Sequence, residues 1–193
     1  MKVKAILIIS SLLIVLSVGC AKNAEIIPET PTTPPTTTTT PPEATPDVVT
    51  TASIVDTEAA FEKAISNEGT WIIATLKDLS FDKDLVVDGE YKNGKKDDDG
   101  KDILQRKIGL YAQDEDRNVT ARYILTAPKL TFSSPMGSIE HGTFKGDLYV
   151  TVSNFQLKDA TVDGNIYFTN EEAKSTFKMD AESKVTGVQE MEK

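Results

Sequence analysis

Cysteine is almost missing: Cys20 is the only one, so no disulfide can close within the chain. Histidine is as scarce, with His141 alone, which excludes a metal site built from several histidines. Trp71 is the single tryptophan. The longest apolar run, Ala5 to Leu16 with Ser10 and Ser11 inside it, has about a dozen residues, short of the ~20 that a spanning helix needs. Positive charge is the rarer sign, and the net charge is −9. That balance argues against nucleic acid and against an anionic membrane surface as partner. Hydrophobic residues make up 39% of the chain, enough for one modest core and too few for two.

What is present begins with an export signal. Met1-Lys-Val-Lys4 is a basic n-region, Ala5 to Leu16 an h-region, and Leu16-Ser17-Val18-Gly19-Cys20 follows. This layout predicts a signal peptide over 1–19. The last five residues resemble the bacterial lipobox, with the small Gly19 before the cysteine and the uncharged Ala21 after it. They depart from it at Ser17, where Leu, Val or Ile is usual, and Leu16 stands one place early. The resemblance implies a diacylglyceryl Cys20, a palmitate-type anchor, and a place on the outer face of the bacterial cell membrane. Each buried methylene contributes about 0.8 kcal/mol, so two or three acyl chains hold a protein stably. Loss of 1–19 takes away Lys2 and Lys4 and raises the negative charge further.

Residues 20–53 read as a spacer. Pro28, Pro31, Pro34, Pro35, Pro41, Pro42 and Pro46 alternate with threonines, and Thr36 to Thr40 is a run of five. Such composition favours polyproline II and offers no core. At ~3.1 Å per residue, 28–50 spans roughly 70 Å. The following stretch, Asp56 to Asn67, predicts a short helix with Asp56 as N-cap, Gly69 at its close and an apolar face of Phe61, Ala64 and Ile65. A helix of that length is marginal alone, and it is expected to cap the body. Trp71 to Leu76 reads as the first strand.

Residues 54–193 predict an all-β domain, a small parallel β-helix or β-solenoid. Phe144-Lys-Gly146-Asp-Leu148-Tyr-Val150 and Val162-Asp-Gly164-Asn-Ile166-Tyr-Phe168 are copies of one pattern. Val185-Thr-Gly187 begins a weaker third, and Val87-Asp-Gly89 looks like an earlier echo. Leu79, Phe81, Leu85, Val87 and Gly89 share their offsets with Phe177, Met179, Ser183, Val185 and Gly187, and Phe155, Leu157, Ala160, Val162 and Gly164 match them with one residue deleted. Spacings of two put side chains on one face of a strand, and returns of about 20 residues suit one turn of a stacked repeat. Two interruptions are polar. Lys92–Lys101 reads as an exposed hairpin or loop tip with Asn93-Gly94 as its turn. Asp97, Asp99 and Gly100 fit three places of an EF-hand, but Lys95 and Arg106 stand where carboxylates are required, so no metal site is expected. Gln113–Asn118 reads as the turn between alternating runs.

Taken together, Arg106-Lys-Ile-Gly-Leu-Tyr-Ala-Gln-Asp114, Arg117-Asn-Val-Thr-Ala121 and Gly164-Asn-Ile-Tyr-Phe168 resemble a family of uncharacterised Firmicutes lipoproteins, over roughly 57–191. The resemblance implies right-handed parallel β-helix character and brings no activity or cofactor. The repeats are also weakly similar to the polymer-forming bactofilins.

No catalytic set emerges. Asp147, Asp159 and Asp163 are candidates for an outer acidic group, with Lys145 and Lys158 as basic partners. Tyr149 and Tyr167 occupy one place in successive repeats, opposite in parity to the inward residues, so they are expected to stack outside as a ladder. That ladder is the candidate ligand face. The expected role is non-catalytic: structural, adhesive or self-assembling. The alternative is a cell-wall polysaccharide-binding module or a β-helix carbohydrate-active enzyme.

Overall fold

The structure, a computed structural model, describes residues 52–193. The signal peptide, Cys20 and the spacer through Thr51 lie outside the described residues.

In chain order the elements are β1 (Ala52–Val55), α1 (Glu58–Ile65), β2 (Ile72–Thr75), β3 (Leu79–Ser80), β4 (Leu85–Val87), β5 (Lys92–Lys96), β6 (Asp102–Leu104), β7 (Arg106–Gly109), β8 (Tyr111–Gln113) and β9 (Val119–Arg122). Then come β10 (Ile124–Phe132), β11 (Gly137–Glu140), β12 (Thr143–Val150), β13 (Gln156–Lys158), β14 (Thr161–Asp163), β15 (Ile166–Phe168), α2 (Glu171–Thr176), β16 (Lys178–Met179), β17 (Lys184–Val185) and β18 (Gln189–Met191). The fold is largely β and its two main sheets are parallel. One has the order β1-β2-β7-β11-β13-β16. The other is built on β3-β10-β12-β14-β17, with β4 also on β10, and with β15 on β12 and β18 on β15. From β2 onward the chain alternates between these sheets. Two antiparallel hairpins, β5–β6 and β8–β9, interrupt the alternation.

Alternation of side chains along each strand decides which residues meet inside. Leu79, Leu125, Phe144, Val162 and Val185 stand over one another in register. So do Leu85, Leu130, Leu148 and Ile166, and beside them Val87, Phe132, Val150, Phe168 and Met191. From the other sheet Ile73, Ile108, Ile139 and Leu157 form the facing column. Nearly all of these are fully buried in one continuous cluster. Aromatic contacts cross the layers: Phe132 meets Phe155 edge-on at 4.9 Å, and Phe155 stacks on Phe177 at 6.3 Å with planes 9° apart.

The repeated glycines have a steric cause. A Cβ on Gly146 would run into the carbonyl of Ala127, one on Gly164 into the carbonyl of Gly146, and one on Gly187 into the carbonyl of Gly164. Each glycine therefore makes room for the backbone of the preceding layer.

Several boundaries differ from the expectations. The helix runs from Glu58 to Ile65, and Thr57, not Asp56, is its N-cap, accepting the Ala60 amide. Either residue type caps well, and only the backbone path selects between them. A strand precedes the helix: β1 lies where the spacer was expected to end, because Ser53 to Val55 find partners in Ile73 to Thr75 that no local signal announces. The proposed alignment of Leu79–Gly89 with the later repeats is shifted. Leu79 stacks in the column of Val162, and Val87 in that of Phe168. Gly89 is therefore no member of the glycine column; its left-handed backbone (φ 94) serves a corner. In the first hairpin the turn is made by Asp97–Gly100, where the Asp97 carboxylate accepts the amides of Asp99 and Lys101, and Gly94 sits inside β5.

Helix α1 covers the start of the core with Phe61, Ala64 and Ile65, all buried. Phe61 packs on Phe81 at 5.6 Å. Helix α2 is capped by Asn170, which accepts the Ala173 amide.

Candidate functional site

Tyr149 and Tyr167 are register partners on β12 and β15. Both are half-buried on the outer face, with ring centroids 4.9 Å apart and planes at 41°. The ladder expected from their parity is thus present. The next position in the row on one side is Thr131 and on the other Glu190. From β10, Lys129 reaches diagonally and sets its ammonium 3.7 Å from the centre of the Tyr149 ring, a cation–π contact. Because β12 lies between β10 and β15, Lys129 and Tyr167 approach Tyr149 from opposite sides. Desolvation, helped by Tyr167 and nearby carboxylates, pushes the Tyr149 hydroxyl above the usual phenol range. In the adjacent row Asp147 accepts both the backbone and side-chain amide of Asn165, and Asn165 accepts the Val188 amide. These side chains bind the layers to one another.

The three aspartates do not converge. Asp147 holds Asn165, Asp163 accepts the Thr186 hydroxyl, and Asp159 belongs to another corner. There His141 Nδ1 lies 3.0 Å from Asp159 Oδ2, and Arg122 donates to the same oxygen at 2.5 Å. Arg122 also donates to the carbonyls of His141 and Asp159. Tyr111 meets the imidazole edge-on at 4.5 Å. Hydrogen bonds from Arg122, then from His141, hold the Asp159 carboxyl below its ordinary range. His141 and Asp159 both have left-handed backbones (φ 62 and 48) at equivalent corners. The sole histidine is therefore a corner residue tied to an aspartate and to the base of hairpin β8–β9.

Two charged groups escape sequence reasoning. Arg106 is fully buried. It donates to the carbonyls of Ala64 at 2.5 Å and Ser66 at 3.0 Å, and lies 3.9 Å over the Tyr91 ring. Tyr91 in turn donates to the Ser66 carbonyl. The guanidinium thus takes up carbonyls left open at the end of α1. Burial pushes its pKa down to about 10. The available signal was parity: Arg106 stands two residues before the buried Ile108. Glu140 is the second, with only 6% exposure. Lys107 at 3.0 Å, Lys158 at 3.2 Å and the Ser138 hydroxyl surround it. Burial alone would raise its pKa, but the two lysines outweigh that and hold it below the ordinary carboxylate range. Lys158 is spent here, and Lys145 lies exposed on the other sheet beside Thr126 and Asp163.

A shallow groove of ≈ 390 Å³ crosses the outer side of β1, β2 and β7, floored by Ile54, Ile72 and Ala74 and walled by Leu76, Tyr111 and Ala112. Trp71, just before β2, is half-buried. Among the described residues, no group of three or more His, Cys, Asp or Glu is placed to hold a metal ion, and no helix is long and apolar enough to cross a membrane.

No protein-family model, curated protein or solved structure matches the chain.

Proposed function

We propose that this is a lipid-anchored envelope protein whose body is a small β-solenoid capped by α1, with a structural or adhesive role and no catalytic one. The anchor is Cys20, and the site of action is the outer face of the bacterial cell membrane. The resemblance to Firmicutes lipoproteins implies the same placement. The observation that carries the role is how the outer polar side chains are used. Tyr149, Lys129, Asp147, Asn165, Glu140 and Asp159 each find a partner in a neighbouring layer. Groups spent on holding layers together are not poised to move protons.

A two-part experiment tests it. Cells making the wild type should hold the protein in the membrane fraction, with a lipid mass on the fragment that starts at Cys20, and Cys20→Ser should release it. Equal membrane association of both forms would refute the anchor. Turnover of wall polysaccharide by the purified chain would refute the non-catalytic role.

A second reading, as a wall-glycan-binding module, is favoured by the outward tyrosine pair. Sugars stack on open aromatic faces, and Tyr149 has a neighbour on each side. The open face belongs to Tyr167, toward Glu190. A glycan panel probed with wild type and Tyr167→Ala decides it: a ligand lost on substitution supports the module, and an empty panel removes it.

A further inference from the structure

We infer that the protein self-associates through β1, which pairs antiparallel with β1 of a second copy about a two-fold axis at Ile54. The proposal gives the structural role proposed above a defined surface, and it rests on that reading only for its biological use.

Strand β1 is the outermost strand of its sheet, and β2 is its one strand neighbour among the described residues. Natural sheets protect such edges with charge, proline or bulges. The outer strands at the far side of the molecule follow that rule: β16 and β17 carry Lys178 and Lys184, and β18 carries Glu190. The sequence of β1, Ala-Ser-Ile-Val, has no charge and no proline, and its pairing with β2 has no register break.

The direction of its hydrogen bonds fixes how a partner would add. Val55 turns its carbonyl toward β2, accepting from Leu76, and Ser53 turns its amide toward Thr70 on the same side. Backbone groups alternate along a strand, so the amide and carbonyl of Ile54 point to the open edge. An antiparallel partner centred on this residue lets the two Ile54 residues exchange both hydrogen bonds. In antiparallel pairing, opposite residues share a face. A two-fold axis perpendicular to the sheet therefore brings the two Ile54 side chains together on the outer face.

Each Ile54 side chain is 61% exposed, with the half-exposed Leu76 beside it on the same groove. Val55, on the inner face, is already buried. The surface is thus self-complementary in both hydrogen bonds and apolar contact, as an isologous interface requires. A chain bearing net charge −9 gains from meeting its copy along an uncharged strand. These points favour a second copy over an unrelated extended peptide, which needs no such symmetry.

The test is sedimentation of the full chain in mild detergent over a dilution series. Wild type should move from two chains per particle to one on dilution. Ile54→Lys, which sets like charges opposite each other, should sediment as one chain throughout, with an unchanged melting temperature. In a Cys20→Ser background, Ile54→Cys should form a disulfide-linked pair under mild oxidation, and Val86→Cys, also exposed but on the other sheet, should not. A single chain at all wild-type concentrations would overturn the proposal. So would a pair that Ile54→Lys leaves intact, or one that cross-links as readily from position 86. If wild type stays single while an extended apolar peptide binds and is lost in Ile54→Lys, the occupant is that peptide, and the proposal fails.

Discussion

The lower and upper parts of the stacked sheets are built on the same register but at different lengths. From Ser138 the chain returns to its partner position at Gln156, 18 residues on. From Ile72 to Lys107 the same return takes 35, and from Lys107 to Ser138 it takes 31. The excess is hairpin β5–β6 in one case and β8–β9 in the other. Neither hairpin disturbs the columns of Leu79, Leu125 and Phe144 or of Ile73, Ile108 and Ile139 on either side of it. Inward side chains therefore set the register, and the corners absorb length. Extra residues at a corner cost only loop entropy, which rises slowly with length. The part that carries the hairpins, however, adds arginine fasteners to the carboxylate, amide and lysine links that join the layers of the regular part. Arg106 ties the end of α1 and the base of β5–β6 together, and Arg122 ties β8–β9 to the next corner.

Substitutions can break or sharpen that contrast. The largest effect is expected in the regular part. Gly164→Val would drive a branched side chain into the Gly146 carbonyl. That backbone cannot yield without displacing a whole layer, so the soluble yield and the cooperative melt should both be lost. Retention of a wild-type melting curve would show that the layers can slip apart. Phe155→Ala comes next. It removes contacts to Phe132 and Phe177 from a fully buried site, and about 3–5 kcal/mol should disappear from the denaturant-derived stability.

Arg106→Ala tests the irregular part. It leaves the Ala64 carbonyl without its donor, takes one of the donors from Ser66 and opens a cavity under α1, so a loss of about 2–4 kcal/mol is expected. Arg106→Met should cost less, because it fills the space and removes a buried charge at the same time. Hydrogen exchange should localise the damage in both variants to α1 and β5–β6. Uniform loss of protection would mean that the upper part is not a separate fastening.

Glu140 gives a pH-dependent effect. Its pKa is depressed in the folded chain, so its contribution is present above the unfolded carboxylate value near 4.5. That contribution is lost as pH falls through the lower folded value. Glu140→Gln should flatten this part of the acid limb in a plot of melting temperature against pH, and an unchanged slope would remove Lys107 and Lys158 as the cause. The smallest effect belongs to the outer ladder. Tyr149→Ala loses one cation–π contact and one half-exposed ring pair, and about 1 kcal/mol or less is expected by chemical denaturation.

The same contrast explains what the sequence made legible. Between Phe144 and Val185 the only insertion is the short helix α2, and composition with spacing was enough to pair Phe155 with Phe177, Val162 with Val185 and Tyr149 with Tyr167. Before Phe132 the hairpins break the period, and a chance Val-Asp-Gly at 87–89 mimicked the repeat one strand out of place. No local pattern separates that triplet from Val162-Asp-Gly164; only stacking does. Strand β1 was hidden because four residues beside a Pro/Thr-rich stretch have no period to read. Arg106 was hidden because a charged residue is ordinarily assigned to the surface, and its carbonyl partners come from a helix some forty residues earlier.

The glycine column has a consequence for how this body would fail. Where Gly146 and Gly164 sit beneath the carbonyls of the preceding layer, backbone touches backbone with no side chain between as a cushion. Stress or oversized replacements at these points cannot be taken up by repacking. They would part the stack along the seam between two neighbouring tiers, leaving each tier intact, as slate splits along its bedding.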